Sequence, residues 1–313
     1  MTPSPFHEGE LAVQDRAGER ELAEHNGVIV QGTVPGRAIP FLAEQAMLVV
    51  GSLDENLQPW ASVLFGAPGF AHAQAGGREV ELDLEQVARS PADVLWANLR
   101  AGRELALLAI DLEQRRRLRI NGELAAADGQ LAHLTVREAY PNCPKYIRRR
   151  RLVALARPGN PPAAIEAGEV LDAPRLQLIA ESDVFFVASR HPERGLDVSH
   201  RGGPPGFVRA MDERTLRVPD YPGNGMYNTL GNMVVDARAG IVFLDFAHDR
   251  ALQLVGTARV RFDEAQRRQP AGTDRFWELT VARWRQISTG VASRWETFEP
   301  SPFTPAAAAF DRL

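Results

Sequence analysis

Two stretches hold most of the residues that could do chemistry. The first, DVSHRGGPPGF at 197–207, sets Ser199, His200 and Arg201 directly before a Gly-Pro turn. Glycines let backbone amides approach a ligand, and an adjacent arginine can give a phosphate charge-assisted bonds. A tight turn between strands would use the same glycines and prolines. The second, PDYPGNGMYNTLGN at 219–232, carries Pro219, Asp220, Gly223, Asn224, Met226, Asn228, Thr229 and Asn232. Its Gly-Asn-Gly loop is expected to enter a helix at about Met226, where free amides favour an anion. Asn228 and Asn232 are spaced to share a helix face. Side-chain amides of this kind match the alternating donors and acceptors of a flavin's pyrimidine edge or ribityl chain. N-capping and turn formation are the competing use of the same residues.

Other reactive side chains point less clearly. His7, His191, His200 and His248 have no metal-ligand spacing, and no nucleophile-elbow, zinc-protease or P-loop pattern occurs. Asp245 lies in the apolar run GIVFLDFA, but Asp111 repeats it, which fits a strand end better than an acid or base. Cys143, near Lys145, suits either a low-pKa thiol or a small packed side chain at a helix start. The arginine run 148–151 reads as a solvated helix face, with phosphate binding as the other use.

The elements that must hold these residues come in two copies. An offset of 137 carries 59–70 onto 196–207 without a gap, pairing Ser62 with Ser199, Gly66 with Gly203, Pro68 with Pro205, Gly69 with Gly206 and Phe70 with Phe207. The lead-in 42–52 falls on 179–189 at the same offset, and 105–124 falls on 239–258 at 134. The copies differ in equipment, since Leu64 stands where Arg201 does. Each copy reads as a short helix followed by many short strands with tight turns. The first has strands at 47–52, 60–66, 79–84, 105–112, 117–125 and 131–139 and a helix at 91–99. The second replays this with a helix at 175–182, strands at 184–189, 196–201, 207–211, 215–218, 240–246 and 251–262, and a helix at 227–236. A surface helix is expected over 8–26, a short one over 37–45, another beginning at Pro144, and an amphipathic helix with Trp277 and Trp284 over 273–287. The tail after Pro300 is expected on the surface.

Composition bounds the class. A chain of 313 residues with 44 % hydrophobic residues can fill two cores. A formal net charge of −4 gives no general attraction to nucleic acid or an anionic membrane, so an anionic ligand must be held locally. One cysteine excludes an intrachain disulfide and a zinc-type cysteine cluster, which fits a reducing cytoplasm. The first ten residues have neither the basic start nor the apolar core of a secretory signal, and no apolar run reaches the length of a membrane span.

The expected architecture is mainly β with short helices, an α+β chain of two antiparallel barrels in tandem. An N-terminal helical arm occupies 1–38, the first barrel 39–156, a proline-rich linker 157–174, the second, ligand-binding barrel 175–265, and a C-terminal helix and tail 266–313. PWASVLFGAPGF, RRRLRINGEL, NCPKYI, DVSHRGGPPGFVR, PDYPGNGMYNTLGN and LQLVGTARV together resemble the tandem-barrel, flavin-nucleotide-binding subgroup related to pyridoxamine 5'-phosphate oxidase. The resemblance covers nearly the whole chain and implies FMN-binding split barrels, with flavin in a groove between two barrels. It places Ser199, Arg201 and the loop from Gly223 to Asn228 at the phosphate and ribityl side, and Lys145 and Tyr146 as completing the groove. It implies a cytoplasmic, homodimeric FMN-dependent oxidoreductase of unknown substrate, reduced by NAD(P)H or a separate reductase. A flavin or haem binding module without catalysis is the alternative, and no catalytic residue is assigned.

Overall fold

Strands with apolar side chains on both faces form the centre of the molecule, because each serves two cores at once. The computed structural model describes residues 4–157, 165–262 and 273–305. The first half contributes β1 (Met47–Leu53), β2 (Pro59–Phe65), β3 (Ala71–Ala73), β4 (Glu79–Asp83), β5 (Glu104–Asp111), β6 (Arg116–Ala127) and β7 (Leu131–Asn142). After β8 (Arg150–Ala156) and β9 (Glu166–Gly168), the second half contributes β10 (Val184–His191), β11 (Gly195–Gly202), β12 (Arg209–Ala210), β13 (Thr215–Pro219), β14 (Arg238–Asp245), β15 (Arg250–Phe262) and β16 (Arg275–Ser288). A last strand, β17 (Ala292–Thr297), pairs with β8.

The strand order is β2-β1-β5-β6-β7-β4-β3 in one sheet and β11-β10-β14-β15-β16-β13-β12 in the other, so the two sheets have the same topology. All these pairings are antiparallel. Side chains of a strand alternate between faces. In β5, Leu105, Leu107 and Ala109 fill the first half's own core, while Ala106, Leu108 and Ile110 join a core shared with the second half. In β10, Phe185 and Val187 point inward and Val184, Phe186 and Ala188 enter the shared core. The halves are thus joined by a largely apolar sheet-to-sheet interface within one chain.

Among the described residues six α-helices complete the structure: α1 (Glu8–Ala17), α2 (Arg20–Gly27), α3 (Ile39–Ala43), α4 (Leu95–Asn98), α5 (Ala173–Glu181) and α6 (Asn228–Val235). The helix expected over 8–26 is two, broken where Gly18 takes φ +70° as the cap of α1. Nor does α1 lie free on the surface. It crosses α6 at a contact between Gly9 and Gly231, where a Cβ on Gly9 would stand 2.2 Å from the Gly231 carbonyl oxygen. Only glycine allows that approach.

The amphipathic helix expected over 273–287 is instead the strand β16. Trp277, Leu279 and Val281 alternate inward as a strand requires. A β-bulge then shifts the register, Val255 pairing with Arg283 and Gly256 with Val281, so that Ala282 is the extra residue. The bulge moves Trp284 onto the inward face, and 277, 281 and 284 acquire the spacing of a helix. The second barrel therefore continues through 288 rather than ending at 265. Of the expected C-terminal segment, 266–272 and 306–313 lie outside the described residues.

The helix expected at Pro144 is also absent. Residues 143–149 turn without regular structure, with Tyr146 at φ +65°, and β8 follows. The arginine run is not a solvated helix face, since Arg150 is buried and bonds both oxygens of Asp183 at 2.7 and 2.8 Å. Of the strand expected at 207–211 only Arg209–Ala210 pairs. Within the expected linker, 158–164 lie outside the described residues and β9 pairs with β16. Ser301 in the tail is buried and accepts from the Tyr146 N–H at 3.1 Å.

Candidate functional site

A cavity of about 120 Å³ opens where the end of β11, the loop 219–227 and the start of α6 face β6 and the turn after β7. Ser199, His200, Arg201, Pro219, Asp220, Gly223, Asn224, Met226, Asn228 and Thr229 line it from the second half, and Lys145 and Tyr146 from the turn at 143–149. Tyr227, within the expected loop, lines it as well, and so do Arg117, Arg119, Asn142, Cys143 and Tyr221, which the sequence does not mark as ligand-facing. The signal that could have found the two arginines was the repeat itself. At the offset of 134, Ala251 stands at the position of Arg117 and Gln253 at that of Arg119.

One end of the cavity is a tightly bonded core. Arg119 lies beside Asp197 with Nε–Oδ1 at 2.7 Å, donates to the Tyr140 hydroxyl at 2.6 Å, and donates to Ser199 Oγ. Thr229 Oγ1 bonds the same serine oxygen at 3.0 Å. Burial works against the charge on Arg119, but Asp197 and Tyr140 outweigh it and hold its pKa above the ordinary value. Arg119 therefore has its counter-charge already.

Arg117 has none of this. It donates to the Cys143 carbonyl, and burial, with the charges of Arg119 and Arg201 adding, pulls its pKa down to about 9. An anion placed beside it would restore the balance. Arg201 bonds Asp220 Oδ1 at 3.0 Å, yet Asp220 is shared with Arg275 at 3.3 Å. His200 is pulled well below its ordinary value by burial, then by Arg117, Arg201 and Arg150, so the imidazole is neutral at pH 7.

Several buried polar atoms at this cavity lack a partner among the described residues: Asn142 Oδ1, His200 Nε2, Arg201 Nε, Tyr221 OH and Asn228 Oδ1. Leaving such a group unpaired costs on the order of 1–3 kcal/mol. Their convergence on one cavity is what a polar ligand would relieve. Asn228 is oriented from behind, donating through Nδ2 to Glu10 Oε1 at 3.1 Å, so that its oxygen is the atom left over. Glu10 also accepts the His7 N–H at 2.9 Å and closes a capping box on α1.

Other expected site residues have structural work. Asn224 Oδ1 accepts from the Met226 N–H at 3.2 Å, closing the loop ahead of α6. Tyr146 donates to the Pro222 carbonyl at 2.9 Å, and the Lys145 ammonium stands 5.2 Å from the Phe303 ring centre. Gly203 lies against the Phe207 ring and Gly206 has φ +83°, while Gly66 and Gly69 repeat both features, so the shared Gly-Pro-Gly-Phe pattern is a packed turn.

Asn232 does not line the cavity. It donates to Ser189 Oγ at 3.1 Å and bonds His7 Nε2 at 3.0 Å. Asn98 and Ser52 repeat the first of these bonds at 3.0 Å in the other half, which marks it as part of the duplicated scaffold. The fold also brings His7, Glu8 and His191 within 4.8 Å of one another. Each histidine Nδ1 accepts backbone N–H groups, from Gly9 for His7 and from Glu193 and Arg194 for His191. Their Nε2 atoms therefore donate, to Asn232 and to Glu8. Asp111 and Asp245 sit at strand ends, accepting from turn amides of Gln114 and of Ala247 and His248.

The equivalent place in the other half is closed. Ser62 donates to Asp93 Oδ1 at 2.7 Å, and Gln253 Nε2 lies 3.0 Å from Ser62 Oγ and 3.2 Å from Asp93 Oδ1. Val63 and Leu64 replace His200 and Arg201, and only about 10 Å³ of space remains beside them.

Fold and site together define a tandem antiparallel-barrel protein with a cation-rich cavity where the halves meet. Residues 173–292 match the family model described as "Pyridoxamine 5'-phosphate oxidase". That segment, in the second half of the chain, carries the likeness to the pyridoxamine 5'-phosphate oxidase-like split-barrel family. Solved structures that align with it include HupZ of Group A Streptococcus, at 14 % identity over 44 % of this chain and 100 % of that one, with TM-score 0.29. A Clostridium acetobutylicum protein related to general stress protein 26, of the pyridoxinephosphate oxidase family, aligns at 15 % over 39 % and 89 %, with TM-score 0.28. A FAD-binding protein from Mesorhizobium loti aligns at 10 % over 40 % and 98 %, with TM-score 0.27. Among curated proteins, none matches the sequence. No helix among the described residues is long and apolar enough to cross a membrane.

Proposed function

We propose that the cavity binds FMN, one per chain, and that the protein is a flavin-dependent oxidoreductase. The observation that carries this reading is the convergence of an uncompensated arginine and five unpaired polar atoms on one cavity. Arg117 and Arg201 would hold the phosphate, with charge-assisted bonds that a neutral pocket could not supply. Ser199 and the loop 223–228 would face the ribityl chain. The oxygens of Asn142 and Asn228 would accept from hydroxyl or imide N–H groups of the ligand. When bound, the cofactor would supply hydride or electron transfer, and the chain would set its orientation and electrostatics. The reductant would come from outside, as NAD(P)H or a reductase. A homodimer is not needed to complete the cavity, because the two halves already supply both walls.

A second reading, haem binding without turnover, is favoured by one feature: His200 is neutral and its Nε2 is unpaired, as an axial ligand would be. One experiment separates the two. FMN added to purified protein and passed through gel filtration should be retained at one equivalent per chain, with flavin bands in the visible spectrum. Arg201→Leu, which installs the residue found in the closed half, should weaken FMN by about 1.5–3 kcal/mol. Unchanged affinity in that variant would sink the assignment. A Soret band on haem addition that is lost in His200→Ala, with no FMN retained, would select the second reading.

A further inference from the structure

A second and larger recess lies on the other side of the repeat. A cleft of about 650 Å³ runs between the β1–β2 turn, the end of α4, β9 and β16, and the two halves line it jointly. Four arginines reach it: Arg100 and Arg103 from the segment after α4, and Arg283 and Arg285 from β16. Arg283 is paired with Asp54 at 3.1 Å. Arg100 and Arg103 make no side-chain hydrogen bond or ion pair among the described residues, whereas Arg285 stands over the face of Trp60, 5.9 Å from its guanidinium, and feels the charge of the buried Asp93 carboxylate.

The duplication shows what is unusual here. In the second half, the Asn232–Ser189 pair is covered by α1 through His7. In the first half, Asn98 makes the same bond to Ser52, yet it faces the open cleft. Beyond the bulge, Arg283 and Arg285 of β16 occupy the places that Glu138 and Tyr140 hold on β7, as their pairing with Val255 and Gln253, against Asn121 and Arg119, indicates. Where one half presents a carboxylate, the other presents guanidinium groups to an open cleft that Asp54, Glu55 and Glu169 also line.

We propose that this cleft binds a small polyanion carrying two or more phosphate groups, with Arg100, Arg103 and Arg285 as its principal contacts. Guanidinium forks suit bidentate phosphate recognition, and two unpaired ones, Arg100 and Arg103, with Arg285 lining the same recess make a lone monoanion a poorer match than a polyphosphate. The apolar edge from Val94 and Ala97 to Trp60 leaves room for an organic body beyond the phosphates. The site shares no lining residue with the cavity proposed for flavin and stands independently of that reading.

Isothermal titration of the full chain with inorganic pyrophosphate and with ADP, at physiological ionic strength, tests this. Saturable binding of one equivalent is expected, weakened at least tenfold in Arg103→Ala/Arg285→Ala and unchanged in Arg201→Leu. Tighter binding of ADP than of pyrophosphate would identify a nucleotide-type ligand, and equal binding the phosphates alone. Absence of saturable heat for both probes up to millimolar concentration would overturn the proposal. So would affinity that the double variant leaves unchanged, or that Arg201→Leu removes.

Discussion

Replacing Glu10 with glutamine should make the protein more stable at alkaline pH and change it little in acid. The carboxyl is 4 % exposed, and burial pushes its pKa from 4.5 up to about 7, against the opposing effect of its bonds from His7 and Asn228. A raised carboxyl pKa means that the folded protein binds the proton more tightly than the unfolded chain. Stability attributable to Glu10 therefore falls as pH rises from 4.5 to 7 and stays low above that. The ionised group costs about 3 kcal/mol at pH 8.5 and about 1 kcal/mol at pH 5. The glutamine escapes this cost but can accept only one of the two bonds, a loss of about 1 kcal/mol at both pH values. Urea denaturation at pH 5 and 8.5 should thus show Glu10→Gln near wild type in acid and about 2 kcal/mol more stable in base. His7 adds an opposite slope, because burial lowers its pKa to about 4 and its contribution rises between pH 4 and 6.5. That slope is common to both proteins. A stability difference that is the same at both pH values would refute the argument that Glu10 is a buried, proton-binding carboxyl. The glutamine amide can also donate to Asn228 Oδ1 and turn the asparagine, so flavin affinity should fall in the same variant.

Three further perturbations test particular contacts. Gly231→Ala would place a Cβ 2.6 Å from the Glu10 backbone nitrogen, so α1 must lift from α6; a loss of about 1–3 kcal/mol and faster proteolysis of the arm are expected. Asp183→Asn leaves the buried Arg150 guanidinium without its counter-charge and should cost about 3–5 kcal/mol in denaturant unfolding. Cys143 lines the cavity proposed for flavin, and alkylation by iodoacetamide should slow when FMN is present.

Duplication, the strand-rich class and most of the cavity wall are legible in the residues alone. Gap-free recurrence of Ser, Gly, Pro, Gly and Phe marks two copies, and the structure repeats their topology strand for strand. Short strands with Gly and Asn turns are local events, so 47–53, 104–111 and 184–191 can be read from composition and alternation. The loop 219–229 is readable because its amides and glycines are contiguous. Packing settles the rest. Ala282, one bulged residue, gives β16 the spacing of a helix, and only its pairing with β15 fixes the phase of the alternation. Asn232 looks equivalent to Asn228 on one helix face, but α1 docks over it and takes it into the scaffold. Arg117 and Arg119 lie about eighty residues from Ser199 in sequence, and nothing local marks two strand arginines as cavity-lining groups. They become so because the halves pack sheet to sheet, which sets β6 opposite β11 and leaves one guanidinium without a counter-charge. Charge compensation is a property of the assembled site, and no single stretch of sequence contains it.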